Sequence, residues 1–236
     1  VRLSFDNPDE VLSDILSFQE SKHRLNTVAR VFNKTATLGY KYMLGEIKND
    51  QALYNQVLIA IATLLMLERI QFMASFAITF TIADAGMFQP IAKAVQKICQ
   101  DELEVHCELG KEVLLNEFKT ERGIIAKKQI LPELKEIFNE IIDSELDFIT
   151  DLFSDGEQLP GANESLFKKW VLFSGKDIDR FFGLDSDREF PRFNPMPSLE
   201  NWINMNKQQA AAQEQDLVAY KVNVVVRDDQ DMIFEF

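Results

Sequence analysis

Val57-Leu-Ile-Ala-Ile-Ala-Thr-Leu-Leu-Met-Leu-Glu68-Arg-Ile-Gln-Phe72-Met-Ala-Ser-Phe76 sets one carboxylate into an otherwise apolar run, and Asp101-Glu102-Leu-Glu104-Val-His106 follows shortly after it. The first stretch is too long and too uniformly apolar for a surface helix, so it reads as the buried helix of a helical bundle. An ionised carboxylate in such surroundings costs several kcal/mol unless a cation offsets it. Glu102 and His106, four residues apart, share a helix face one turn from each other. A metal held between Glu68 and the Glu102/His106 pair is therefore the sharper reading, against a buried acid paired with an arginine.

Working outward, the chain of 236 residues is 46% hydrophobic, enough for one sizeable core. A net charge of -13 disfavours nucleic acid and anionic membrane as partners, since both polyanions would be repelled. The run from Val57 to Ala83 has the length to span a bilayer, but Glu68, Arg69 and Gln71 sit near its middle, where charge is costly. A buried helix of a soluble protein fits better. Cys99 and Cys107 lie about 12 Å apart along one helix, too far to bridge, and a reducing cytoplasm is the simpler setting. No signal-peptide pattern opens the chain, and Val1 is not an initiator methionine, which suggests processing or a fragment.

Asn7-Pro-Asp-Glu10 starts a helix that runs to about Tyr42, with an apolar face at Leu12, Ile15, Leu16, Val28, Val31 and Phe32. The apolar helix follows over about 51–83 and ends at Gly86, placed for a left-handed cap. The acid-rich helix is expected over about 88–118, and Lys119-Thr-Glu-Arg-Gly123 reads as a loop. Further helices are expected over about 130–153, 163–174 and 176–182, and a short one over 198–204. Three prolines in Glu189-Phe-Pro-Arg-Phe-Asn-Pro-Met-Pro197 forbid a regular helix there. The fold class is all-α, a partial ferritin-like helical bundle over 1–183, then a Pro-rich turn and short helix over 184–206. A flexible C-terminal tail is expected over 207–236, ending in Asp231-Met-Ile-Phe-Glu-Phe236. Its Ile233, Phe234 and Phe236 suit the groove of another protein.

Ferritin-like metal sites use two carboxylate helices and two Glu-x-x-His helices. Glu68, Glu102 and His106 supply half of that set. Glu20-Ser-Lys-His23 has the spacing literally, but it lies within the uninterrupted polar run Gln19 to Arg24, which reads as a solvated face. No nucleophile elbow, phosphate loop or dinucleotide fingerprint is present in the sequence.

The motifs resemble those of the small, radical-generating subunit of class I ribonucleotide reductase. Glu68-Arg-Ile-Gln-Phe72-Met-Ala-Ser75-Phe76 resembles the family's Glu-x-Ile-x-Phe-x-x-Ser-Phe helix, and Ile98 to His106 resembles its Ile-x-x-x-Glu-x-x-His helix, with Glu102 thirty-four residues after Glu68. Asn194-Pro-Met-Pro197 resembles its Asn-Pro-Ile-Pro turn, and Gln213-Glu214 followed by Tyr220 resembles its radical-relaying tail segment. The short loop between the first two helices is similar to that of compact phage-type versions.

The resemblance implies a dinuclear metal centre, iron first and manganese or a mixed pair otherwise, with Glu68, Glu102 and His106 as ligands. It implies that Phe72, Phe76 and Ile98 wall a dry radical pocket and that Asp101 orients a ligand histidine. Glu214 and Tyr220 would pass the oxidation to the large subunit, on which Ile233, Phe234 and Phe236 dock, and the subunit would be a cytoplasmic homodimer, in the host cytoplasm if phage-encoded. Two departures stand out. The family's histidine comes three residues after its glutamate, whereas His106 comes four after Glu102, so one extra residue must be absorbed, by a four-residue step that keeps both on one helix face or by a π-bulge that restores the family geometry. Glu102 is preferred as the ligand and Glu104 stays open. Asn7-Pro-Asp-Glu-Val-Leu-Ser-Asp-Ile15 resembles the segment after the family's radical tyrosine, so the N-terminal third, with half the ligands, would be lacking and the chain alone inactive. On that alignment Glu20 and His23 match by coincidence. The alternatives are another di-iron carboxylate oxidase or oxygenase, and a non-enzymatic helical scaffold.

Overall fold

The computed structural model describes residues 7–17, 19–154, 156 and 159–204. It is all-α, with no strand among those residues. In chain order the helices are α1 (Pro8–Ser17), α2 (Gln19–Met43), α3 (Asp50–Met66), a π-turn π1 (Leu67–Gln71) and α4 (Phe72–Asp84). They continue as α5 (Gln89–Asp101), a second π-turn π2 (Glu102–His106), α6 (Cys107–Glu117), α7 (Glu121–Leu152) and α8 (Glu164–Phe182). A 3-10 turn (Pro197–Leu199) and α9 (Glu200–Ile203) follow.

The rod α3–π1–α4 is the axis of the bundle. Its α3 part packs on α2, α6 and α7, and its α4 part packs on α5 and α8. Ala62, Met66, Met73, Ala74, Ala77 and Phe80 are at most 1% exposed, so the rod is buried nearly all round and needs no amphipathic stripe. The 35 residues from Asp50 to Asp84 are long and apolar enough to cross a membrane, but 67% of the most apolar window is buried inside the bundle. Bundle neighbours occupy most of the surface that lipid would take, leaving Val57 and Leu64 exposed.

Local chemistry sets the helix ends. Asn49, Thr120 and Asn163 each accept a hydrogen bond from the backbone N–H three residues on, each cap contributing about 1 kcal/mol. Gly86 (φ 87°) and Gly183 (φ 69°) take left-handed positions after α4 and α8. The turn into α5 also places Phe88 at φ 52°, with Pro90 following in the first helical turn.

Three elements differ from the sequence reading. Of the loop expected over 119–123, Lys119 and Thr120 form a turn, while 121–123 are the capped start of α7, where Gly123 is demanded by a close approach: a Cβ there would lie 1.8 Å from the Glu117 carbonyl oxygen. From that start α7 runs through Pro132 instead of beginning near Ile130. The two helices expected over 163–182 are one, since Gly175 faces Phe138 and Ile142 and permits contact between α8 and α7 rather than a break. Phe32, expected on the apolar face of α2, is 38% exposed, while Val28 and Val31 are buried.

Beyond α8, Leu184, Met196, Leu199 and Trp202 join the same core. The Trp202 ring stacks on Phe80 with centroids 5.0 Å apart, and its Nε1–H donates to Asp84 at 2.8 Å. Gln96 and Gln100 both donate to its carbonyl oxygen, tying α9 to α5. Glu214, Tyr220, Ile233, Phe234 and Phe236 lie outside the described residues, as do the side chains of Leu12, Ile15, Leu16 and Glu20.

Candidate metal centre

Glu68 and the Glu102/His106 pair meet where the two π-turns touch. In each turn the hydrogen bond spans five residues: Phe72 N–H donates to Leu67 O, and Cys107 N–H donates to Glu102 O. Each bond widens the helix by one residue, a distortion common at functional sites. Of the two ways to absorb the extra residue before His106, the π-bulge is the one present, and π1 is a second one beneath Glu68.

One ligand atom from each of Glu68, Glu102 and His106 lies within 4.8 Å of the other two. His106 Nδ1 is 2.7 Å from Glu102 Oε2 and 3.9 Å from Glu68 Oε1, while Nε2 is 3.8 Å from Asp101 Oδ2. The cluster takes in Glu102 rather than the exposed Glu104. Glu68 is 7% exposed, and burial followed by the nearby Glu102 carboxylate pushes its pKa up to about 7, with His106 offsetting part of the effect. The hydrogen bond to Glu102 raises the His106 pKa. Two carboxylates forced together at a half-buried spot, beside an imidazole whose Nδ1 points between them, form an oxygen-rich donor set suited to a divalent metal ion. The residues present fit a metal, and as three ligands they fit part of a dinuclear centre.

The face carrying these ligands is apolar and uncovered among the described residues. Val57 and Leu64 on α3, and Ile98, Val105 and Leu109 along α5–α6, are all at least 40% exposed. Ile98, expected in a dry wall, is thus 52% exposed here, while Phe72 and Phe76 are partly buried with ring centroids 6.1 Å apart. Such a face beside a partial ligand set has room for further helices to cover it. His23, by contrast, is exposed 61% at its side chain and sits 3.4 Å from Asp147, away from the cluster.

Sequence reasoning missed Arg24, which it grouped with a solvated polar face. Its side chain is only 18% exposed and forks onto Glu145, with Nε–Oε1 at 2.6 Å and Nη2–Oε2 at 2.9 Å. Glu145 is fully buried; desolvation raises its pKa, against the lowering effect of Arg24 and Gln71. The signal was present in α7, where Glu145 takes the next place in the apolar stripe Ile137, Phe138, Ile141, Ile142. Cys99 and Cys107 are buried, unbridged thiols whose pKa values burial pushes up to about 12, which leaves them unreactive.

The family model described as "Ribonucleotide reductase, small chain" matches residues 4–187. Among curated proteins, the ribonucleoside-diphosphate reductase subunit beta of Buchnera aphidicola subsp. Schizaphis graminum is 24% identical over 250 residues, covering 100% of this chain and 65% of that protein. The ribonucleoside-diphosphate reductase 1 subunit beta of Salmonella typhimurium is 23% identical, covering 95% and 63%. The subunit beta of Enterobacteria phage T4 is 25% identical over 173 residues, covering 71% of this chain and 44% of that protein. The chain therefore spans about 65% of the length of the first of these relatives.

Proposed function

Because this chain belongs to the ribonucleotide reductase small-chain family, we propose that it forms the metal-binding core of a ribonucleoside-diphosphate reductase small subunit. The observation that carries this reading is the convergence of Glu68, Glu102 and His106 within 4.8 Å, at two touching π-turns under an uncovered apolar face. These three residues are one half of a dinuclear cradle, whose other ligands come from outside the described residues.

When bound, the metal pair, iron first or manganese, supplies the one-electron oxidising equivalent that the subunit stores for the large subunit. The chain's own residues bind and orient. Glu68 and Glu102 neutralise cationic charge, His106 Nδ1 completes the donor set, and Asp101 steers the ring from its Nε2 side. Phe72 and Phe76 exclude water next to Glu68. Tyr220, with Glu214 taking its proton, passes the oxidation along the C-terminal tail, and Ile233, Phe234 and Phe236 dock on the large subunit. The subunit works as a homodimer in the cytoplasm.

Anaerobic titration with Fe(II) tests the cradle, alone and with whatever polypeptide covers the exposed face. Glu68→Ala, Glu102→Ala and His106→Ala should each abolish metal uptake in the assembled state. Unchanged uptake in all three would sink the reading. Two irons held by the isolated chain would refute the half-cradle and bring Glu20 and His23 back as ligands.

A further inference from the structure

Arg24 joins its own helix to three other elements at once. From α2, its guanidinium forks onto the buried Glu145 of α7, donates from Nη2 to the Gln71 carbonyl oxygen at 2.7 Å, and donates to Ser75 Oγ in α4 at 2.9 Å. The Phe148 ring lies beneath it, 4.2 Å from Cζ to the centroid. Gln71 returns the contact, donating from Nε2 to the Arg24 carbonyl oxygen at 2.7 Å and to Glu145 Oε1 at 3.1 Å. Gln71 is the last residue of π1, and Glu68 lies three residues earlier in the same widened turn. The lock therefore grips the C-terminal end of π1, backbone and side chain together, while Glu68 projects from its N-terminal end.

A π-turn lacks the regular bonding of an α-helix and persists where the surroundings hold it. Returning π1 to α-helical bonding would rotate Glu68 relative to Glu102 and His106, because the position of a side chain around a helix follows the residues per turn. A fork that satisfies a carboxylate bidentately and still reaches a backbone carbonyl and a hydroxyl is specific to arginine.

We propose that Arg24, clamped on Glu145, is a positioning residue that holds π1 in its widened form and so aims Glu68 at Glu102 and His106. The alternative is an ion pair that only stabilises the bundle. The two are separable, since replacing a buried pair by apolar residues of similar volume often leaves stability unchanged.

The test uses the full chain carrying Arg24→Met with Glu145→Leu, its crystal structure, and titration with Co(II) as a spectroscopic metal probe. The cobalt measurement rests on the metal-centre reading, whereas the crystal structure does not. The expected result is wild-type thermal stability, residues 67–71 returned to α-helical bonding, the Glu68 carboxylate displaced from His106, and cobalt affinity lower by about 10–100-fold. Retention of the π-turn and of the 3.9 Å separation between Glu68 and His106 overturns the proposal. If the wild-type chain by itself takes no cobalt, as half a ligand set allows, the crystal structure alone decides the positioning role. If the double variant does not fold, Arg24→Lys replaces it: lysine keeps the charge on Glu145 but cannot reach Gln71 and Ser75 together, so an undisturbed π1 in that variant counts equally against the proposal.

Discussion

His106 Nδ1 lies 2.7 Å from Glu102 Oε2, four residues earlier in a turn closed by a five-residue hydrogen bond. The extra residue relative to a three-residue spacing is absorbed inside π2, and α6 resumes at Cys107 in regular form. A π-turn is a single-residue insertion into an α-helix. Deletion of the exposed Val105 should therefore give one continuous α-helix from α5 into α6 with the core face of α6 in place. The expected change in Tm is a few degrees at most, measured by circular dichroism. Deleting the buried Leu114 instead should unfold α6, and equal damage from both deletions would argue against the insertion account.

The metal-free chain should lose stability as pH rises. Glu68 has its folded-state pKa raised from 4.5 to about 7, so its contribution is fully present below pH 4.5 and disappears as pH climbs through 7. The raised pKa of His106 acts in the same direction. Glu68→Gln should remove most of that slope and leave the metal-free variant more stable than wild type above pH 7. Urea unfolding at several pH values measures this, and a wild-type stability that rises from pH 5 to 8 would contradict it.

Metal should reverse the pH dependence. Ligation requires deprotonated carboxylates and a free imidazole nitrogen, so binding releases protons and tightens as pH rises. Co(II) titrations at pH 6 and pH 8 should show tighter binding at the higher pH, and a pH-independent affinity would remove Glu68 from the ligand set.

Gly175→Ala should destabilise the bundle by about 1–3 kcal/mol, because overpacking forces neighbours out of place. The added Cβ would meet Ile142 Cδ1 at 2.8 Å and Phe138 Cζ at 3.3 Å. Thermal unfolding provides the measurement. Trimming Ile142 to valine in the same chain should recover part of the loss, whereas no recovery would place the strain elsewhere.

Tyr220→Phe separates metal chemistry from radical relay. In the complete enzyme it should abolish nucleotide reduction while leaving metal content and the spectrum of the centre unchanged. Unaltered turnover would favour a di-iron oxidase that needs no tail relay.

The sequence by itself determined the all-α class, the buried rod around Glu68, and the pairing of that residue with Glu102 and His106. The first two follow from composition and period along a helix, and the third from the cost of burying a carboxylate without a cation. The second π-turn was legible only through the family resemblance, as one residue more between Glu102 and His106 than the family's spacing has. Only the tertiary structure decided that α8 runs unbroken through Gly175, since that turns on its contact with Phe138 and Ile142 of α7. It also decided that Arg24 leaves its polar neighbours to enter the bundle. A long side chain on a polar run can be solvated or folded inward, and the choice rests with Glu145, 121 residues away. Local periodicity carries no record of that partner, whereas a fully buried carboxylate enforces it through the cost of leaving its charge unpaired.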